Sequence, residues 1–362
     1  MPDFVNSGLL RIARQRKGFA QGEAAERIGV PQVTLSRYET GTSHPSDEFL
    51  KQAGLIYEVP ASFFEQTDPV LGSPVSVHSM WRKKQSVTVK EMDQIIADFN
   101  FRILHIRRML EAVEFIPQSN IPKLEPAKYD NNIEQIASTV RSHWLVPQGP
   151  FPNLTASIEQ AGGIVIHSSM GGSDVSGITI AAPGLPPIIL LNKDQPADRM
   201  RFTLAHELGH IVMHRFPSPT MEKEANEFAS ALLMPTSDIE HALFDIDLPK
   251  LAALKPEWRV SMQALLYRGQ ERGIIPKSVA NHLWRQFNVN RIKMREPPEL
   301  DFEPEVPGVI SRMVSLHLET FGYSIIEFAK ILRLHDYQLP QFYDLKNAPE
   351  KPATGLRLRV VK

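Results

Sequence analysis

The chain has 362 residues, more than one core usually serves, so two or three folded units are expected. It has no cysteine, which excludes disulfides, thiolate metal sites and cysteine nucleophiles; 40 basic against 41 acidic side chains leave a net charge of -1, so only a local face could draw nucleic acid. No apolar run approaches the about 18 residues of a membrane span, and the N-terminus lacks an apolar signal core, so a cytoplasmic protein without membrane contact is expected.

From Asp3 to about Glu65 the pattern predicts closely spaced short helices. Leu9, Leu10, Ile12 and Ala13 precede a break at Gly18, Ala24, Ala25 and Ile28 precede a turn at Gly29, and Val33, Leu35 and Tyr38 follow. Gln21 to Tyr38 has the dimensions of helix, turn and helix, with Ala24, Ala25, Ile28, Val30, Val33 and Leu35 as packing residues. Gln32, Thr34, Ser36 and Arg37 are left for solvent, where short hydrogen-bonding side chains and an arginine suit base edges and phosphates of a major groove.

Thr67 to Val77, rich in Pro, Ser, Gly and Val, is expected to be a linker and a domain boundary. Apolar residues at helical spacing from Met92 to Val113 predict one long helix over Glu91 to Phe115, with Arg102, Arg107 and Arg108 on a solvated face. A helix from Asn132 to Trp144 follows, then three strands, Gly163 to His167, Ser176 to Ala182 and Pro187 to Asn192. The pattern turns helical at Ala197 and again over Glu222 to Met234, Leu248 to Leu254 and Ser261 to Gly273, with a helical hairpin at Pro276 to Phe287. Glu296 to Pro307 reads as a second connector, and Gly308 to about Tyr343 as helical, Ser324 capping an apolar face.

The chemistry is carried by His206-Glu207-Leu208-Gly209-His210. Histidines at i and i+4 project from one helix face and can close on one Zn2+, and Glu207 between them is placed to act as acid/base. Phe202, Leu204, Ala205, Leu208, Ile211 and Val212 make this helix apolar, so His and Glu within it would be costly without a metal. The third ligand must come from His214, Glu222, Glu224 or His241. Three ligands in one helical row wrap a tetrahedral ion poorly, which leaves His214 beyond the ligands or at the helix end. Glu222 lies nearer than Glu224 to the stripe of Ala225, Phe228, Ala229, Leu232 and Leu233, so Glu222 is favoured. An extended substrate could add as a strand to an edge of the sheet; Pro187 to Asn192 is a candidate for that edge, and its apolar run suits a central strand equally.

Two resemblances bear on these segments. Arg14 to Gln21, Ala24 to Gly41 and Pro60-Ala-Ser-Phe-Phe64 resemble the XRE family of helix-turn-helix domains over about the first 65 residues. The resemblance implies that Gln21 binds a phosphate, that Gln32, Thr34 and Arg37 face the groove, that Arg14 pairs with Glu39, and that a homodimer is a common state. Arg199 to His214 followed by Glu222 to Pro235, with Trp258 to Arg268, resembles the ImmA/IrrE metallopeptidases over roughly Arg141 to Pro298. It implies a gluzincin-like site in which His206, His210 and Glu222 hold zinc and Glu207 is catalytic. Members with known roles cleave XRE-type repressors in stress responses or in control of mobile elements.

The expected fold class is α+β, mainly helical. A five-helix-type helix-turn-helix domain at 1–68 leads through a helical connector at 69–140 to a zincin-like domain at 141–298 with a small sheet, and a small helical unit occupies 308–362. The expected function is a DNA-binding regulator with a zinc-dependent endopeptidase domain, acting on an operator and on a partner XRE-type repressor or on itself. A transcription factor with a non-catalytic zinc sensor or structural domain, and the antitoxin component of a toxin-antitoxin pair, are the alternatives.

Overall fold

The computed structural model describes residues 4–72, 87–172, 174–180, 182–343 and 357–360. They form two compact units, one of residues 1–116 with 308–362 and the other of 117–307. This cuts the chain differently from four consecutive segments: the stretch expected to connect two domains at 69–140 is divided at 116, and the residues from Gly308 onward belong with the N-terminal unit.

The first unit opens with α1 (Ser7–Arg16), α2 (Gln21–Ile28), α3 (Gln32–Glu39) and α4 (Asp47–Tyr57). Asn6 and Ser46 cap α1 and α4 with their side chains, and Gly29, at φ 84°, takes the left-handed turn that lets α3 follow α2 so closely. A Thr88–Glu91 capping box starts α5 (Val89–Ala112). The helix ends three residues short of the expected Phe115, because Val113, Phe115 and their neighbours form β1 (Val113–Ile116), a better conformation for β-branched and aromatic side chains.

Helix α5 is not amphipathic throughout. Phe99 to Ile106 are buried all round, and Arg102, expected on a solvated face, is buried between Asp98 and the carbonyl of Phe342. Arg107 and Arg108 instead pair with the buried Asp68, and Asn100 exchanges hydrogen bonds with the backbone of Leu71. The first residues of the expected linker are therefore packed against α5; 73–77 lie outside the described residues.

In the second unit, Asn132 caps α6 (Ile133–His143), and a short α7 (Leu154–Gln160), absent from the periodicity, precedes the sheet. Strand β2 (Ile164–Ser168) pairs in parallel with β4 (Ile188–Asn192), and β3 (Gly177–Ile180) pairs antiparallel with the other side of β4. The order is β2-β4-β3. Pro187 to Asn192 thus supplies the central strand and not the edge, and all five residues of β4 are buried, as its unbroken apolar run requires.

Helix α8 (Ala197–Met213) lies against β3 and β4 on one side and against α9 (Met221–Leu233) on the other. Nearly every residue from Met200 to Met213 is buried. Its start is pinned by Lys255, wholly buried, whose Nζ donates to Asp198 at 2.7 Å and to Glu296 at 2.9 Å. Gly209 brings the α8 and α9 backbones together, since a Cβ there would stand 3.4 Å from Ala225 Cα. Beyond a single turn, α10 (Thr236–Ile239), the core is completed by α11 (Leu248–Trp258), α12 (Met262–Glu271) and α13 (Lys277–Val289). The last is one continuous helix where a hairpin was expected. Glu296 accepts from the first backbone amides of α12, and Glu305 pairs with Arg201, so the second connector is fastened to this unit.

The chain then re-enters the first unit with α14 (Val309–Ser315), α15 (Ile325–Ile331), capped by a Ser324–Glu327 box, and α16 (Leu339–Phe342). Strand β5 (Arg357–Val360) pairs antiparallel with β1, Val113 opposite Val360.

Candidate functional site

Helices α8 and α9 bring three of the residues singled out in the sequence into one cluster. His206 and His210 sit one turn apart on α8 with Nε2 atoms 3.0 Å from each other, and Glu222, in the first turn of α9, places its oxygens 3.5 Å from His206 Nε2 and 3.4 Å from His210 Nε2. Among the described residues these three form the one group of side chains that could hold a metal ion, with candidate ligand atoms all within 4.8 Å. Ligands held about 2.0 Å from a tetrahedral ion are about 3.3 Å apart, so the observed separations fit a small divalent cation. The donor set also fits: two imidazoles and a carboxylate, with no sulfur available in the chain. Burial and the adjacent His206 hold His210 well below the ordinary histidine range, whereas His206, which burial alone would lower, is raised on balance by its bond to Glu222 and by the nearby Glu207.

Glu207 faces the sheet from the same helix. It is almost fully buried, and Thr179 Oγ1 on β3 donates to its Oε2 at 2.7 Å. Burial raises its pKa above the usual carboxylate range, against the opposing effects of His206 and the Thr179 hydrogen bond. The other sequence candidates are not members of the cluster: His214 lies behind it, its Nδ1 2.9 Å from His210 Nδ1 and its Nε2 bonded to Glu224, and His241 is exposed in a single turn after α10.

The helix-turn-helix residues lie in the other unit. Arg14 grips Glu39 with two parallel hydrogen bonds of 2.6 and 2.8 Å, and Gln21 Nε2 donates to the same carboxylate at 3.0 Å. Gln21 is thus tied to this buried pair at the first residue of α2. On α3, Gln32 and Arg37 are exposed and Thr34 is half-buried. Val33, expected in the core, is 63% exposed, while Leu35 is buried completely. Steps of about 100° explain this, because they place Gln32, Ser36, Val33 and Arg37 within one arc and Thr34 beyond its margin.

Residues 10–64 match the helix-turn-helix family, and residues 158–269 match the peptidase family described as the IrrE N-terminal-like domain. The chain joins an XRE-type helix-turn-helix domain to an IrrE/ImmA-like domain. No curated protein matches it. The IrrE-like match covers β2 to β4, α8, α9 and most of α12, and so contains every residue of the His206–Glu222 cluster.

Sequence reasoning missed Thr179 and Asn226. The alternation Ile178-Thr179-Ile180 turns Thr179 to the face opposite its neighbours, but nothing local says that this face lies over α8. Asn226 is i+4 from Glu222 on one side of α9; its Oδ1 lies 3.1 Å from His206 Nδ1, and its amide donates to the Glu222 carbonyl at 2.8 Å. That spacing is the signal which could have found it.

Proposed function

We propose that the chain is a cytoplasmic DNA-binding regulator whose IrrE/ImmA-like domain is a zinc-dependent endopeptidase acting on an XRE-type repressor, either a partner or its own N-terminal domain. His206, His210 and Glu222 would hold the zinc. The observation that carries the reading is the buried Glu207 carboxylate, fixed by Thr179 beside those three donors. A purely structural or sensory metal site needs the ligands but has no use for a second, non-ligating carboxylate kept there at the cost of burial.

Bound zinc supplies Lewis acidity, polarising the scissile carbonyl and making water easier to deprotonate. Glu207 takes the proton from the attacking water as its oxygen bonds to the carbonyl carbon, then delivers that proton to the amide nitrogen as the C–N bond breaks. Thr179 keeps one carboxylate oxygen occupied, leaving Oε1 for the proton. Strand β3, whose partner among the described residues is β4 alone, offers the free edge beside Glu207 to an extended peptide.

On the helix-turn-helix domain, Gln32 and Arg37 would read base edges and phosphates, with Thr34 at the margin of the face, Gln21 at a phosphate and Val33 against a thymine methyl. Homodimerisation would let two such faces meet a two-fold operator. The test is zinc analysis of the purified chain with digestion of candidate XRE repressors by wild type, Glu207→Gln and Glu222→Ala. Glu207→Gln should retain zinc and cleave nothing, and Glu222→Ala should lose zinc on dialysis. Cleavage by Glu207→Gln at the wild-type rate would sink the enzymatic reading.

A further inference from the structure

His206 and His210 both turn Nε2 toward the space shared with Glu222, so the Nδ1 of each ring must be satisfied elsewhere. For His206 the partner is Asn226 Oδ1. For His210 it is another imidazole: His210 Nδ1 lies 2.9 Å from His214 Nδ1, and His214 Nε2 lies 2.9 Å from Glu224 Oε2. Residues 222, 224 and 226 of one helix turn thus reach the same row of histidines, the first directly and the others from behind.

The proton positions along this path follow from the chemistry. An imidazole that gives its Nε2 lone pair to a metal carries its proton on Nδ1. His210 Nδ1 then donates, so His214 Nδ1 must accept. A neutral imidazole that accepts at Nδ1 carries its proton on Nε2, and the atom facing Nε2 of His214 is a carboxylate oxygen. Every hydrogen bond has a donor and an acceptor in this one direction, without an imidazolium. The opposite tautomer of His214 would set two N–H groups against each other and leave Glu224 facing a lone pair.

We propose that His214 and Glu224 form a positioning relay for His210, fixing its tautomer and ring orientation and thereby setting the affinity of the centre for its metal. The inference rests on the zinc reading of the site. A simple helix-end role for His214 accounts for less. Its side chain is only 5% exposed, the backbone leaves the helix at this residue, and both ring nitrogens are spent on side chains rather than on the open carbonyls of the helix terminus.

The test uses the full chain stripped of metal and titrated with zinc against a chromophoric chelator. His214→Phe should raise the zinc dissociation constant about 10- to 100-fold. Glu224→Leu should come close to it, and Glu224→Gln should lose less, because an amide oxygen still accepts from His214 Nε2–H. The double variant His214→Phe/Glu224→Leu should be no weaker than His214→Phe alone, since the two act as one path. Metal-free melting temperatures close to wild type separate the relay from a packing role. Should His214→Phe not fold, the two Glu224 variants, at a residue nearer the surface, decide the matter. Zinc affinity within twofold of wild type in the folded variants overturns the relay alone. A wild-type chain that binds no zinc overturns the metal centre and the relay together.

Discussion

The Thr179 hydroxyl donates to Glu207 Oε2 at 2.7 Å, joining strand β3 to the helix that carries the two histidines. Thr179→Val removes that donor without changing the side-chain volume and leaves a buried carboxylate with one partner fewer. A hydrogen bond to a charged group contributes about 1.5–3 kcal/mol, so the unit should lose stability on that scale. Three of the chain's four tryptophans, Trp144, Trp258 and Trp284, lie in residues 117–307, so fluorescence during urea unfolding follows this unit. A midpoint equal to wild type would mean that the bond contributes nothing, and Thr179→Ser should restore most of the loss.

Gly209 stands where α8 crosses α9. A Cβ there would meet Phe228 Cδ1 at 3.0 Å and Ala225 Cα at 3.4 Å, and Phe228 is itself fully buried. Gly209→Val should therefore destabilise the unit by about 1–3 kcal/mol through overpacking, despite valine's better helix propensity. Because Glu222 lies in the first turn of the helix that would be pushed away, zinc retention after dialysis should fall as well. Unchanged stability and full metal content would show that the crossing has slack which the geometry does not suggest.

The segments that form the candidate site were legible because they depend on local periodicity. His206 and His210 at i and i+4, the three short strands and the Ser324 cap are all set by spacing within a few residues. What escaped depends on partners distant in the chain. Arg102 reads as a solvated cation until residues near Phe342 return to cover α5, and Val113 to Ile116 continue a helical pattern until Arg357 to Val360 supply a strand. The identity of the sheet edge escaped for the same reason, since an apolar run is compatible with a central or a covered outer strand. Val33 was misplaced by treating every apolar residue of a short helix as core, although the helical angle separates it from Leu35.

His105, buried in the middle of α5, makes the first unit sensitive to acid. Burial pushes its pKa down to about 3, with Arg102 and Arg16 acting in the same direction and Asp98 opposing them. The unfolded chain, with a histidine pKa near about 6.5, binds the proton at higher pH than the folded one does. Between these values the unfolded state holds more protons, so stability from this group is fully present above about 6.5 and is lost progressively as the pH falls toward about 3. Its Nδ1 meets the Tyr343 hydroxyl at 2.9 Å, and its ring packs edge-on against Phe342. In His105→Phe, hydrogen exchange of peptides from Val89–Ala112 should depend less steeply on pH between 4 and 6 than in wild type, once corrected for intrinsic exchange. Identical pH slopes in the two proteins would remove His105 as the cause.

The exposed arc of α3 separates sequence-independent attraction from reading of bases. Arg37 is exposed, carries a full charge and lies beside Val33 on that arc, whereas Leu35 and Glu39 on the opposite side are buried. If Arg37 meets a phosphate, Arg37→Ala should weaken binding by about the same factor on every duplex tested and reduce the salt slope by about 1. If it meets a guanine edge, the loss should be about 1–3 kcal/mol on the preferred operator and small on others. Val33→Ser removes an apolar contact without changing charge, so it should leave the salt slope as it is and weaken only sites that present a thymine methyl. Binding isotherms at two salt concentrations, on an operator selected from random duplexes and on an unrelated duplex, distinguish these outcomes. Zinc content should be the same in both variants, because His206, His210 and Glu222, the proposed ligands, all belong to the other unit. DNA affinity unchanged in both Arg37→Ala and Val33→Ser would remove α3 as the recognition helix, and unchanged affinity in Arg37→Ala alone would confine recognition by α3 to Gln32, Val33, Ser36 and the margin at Thr34.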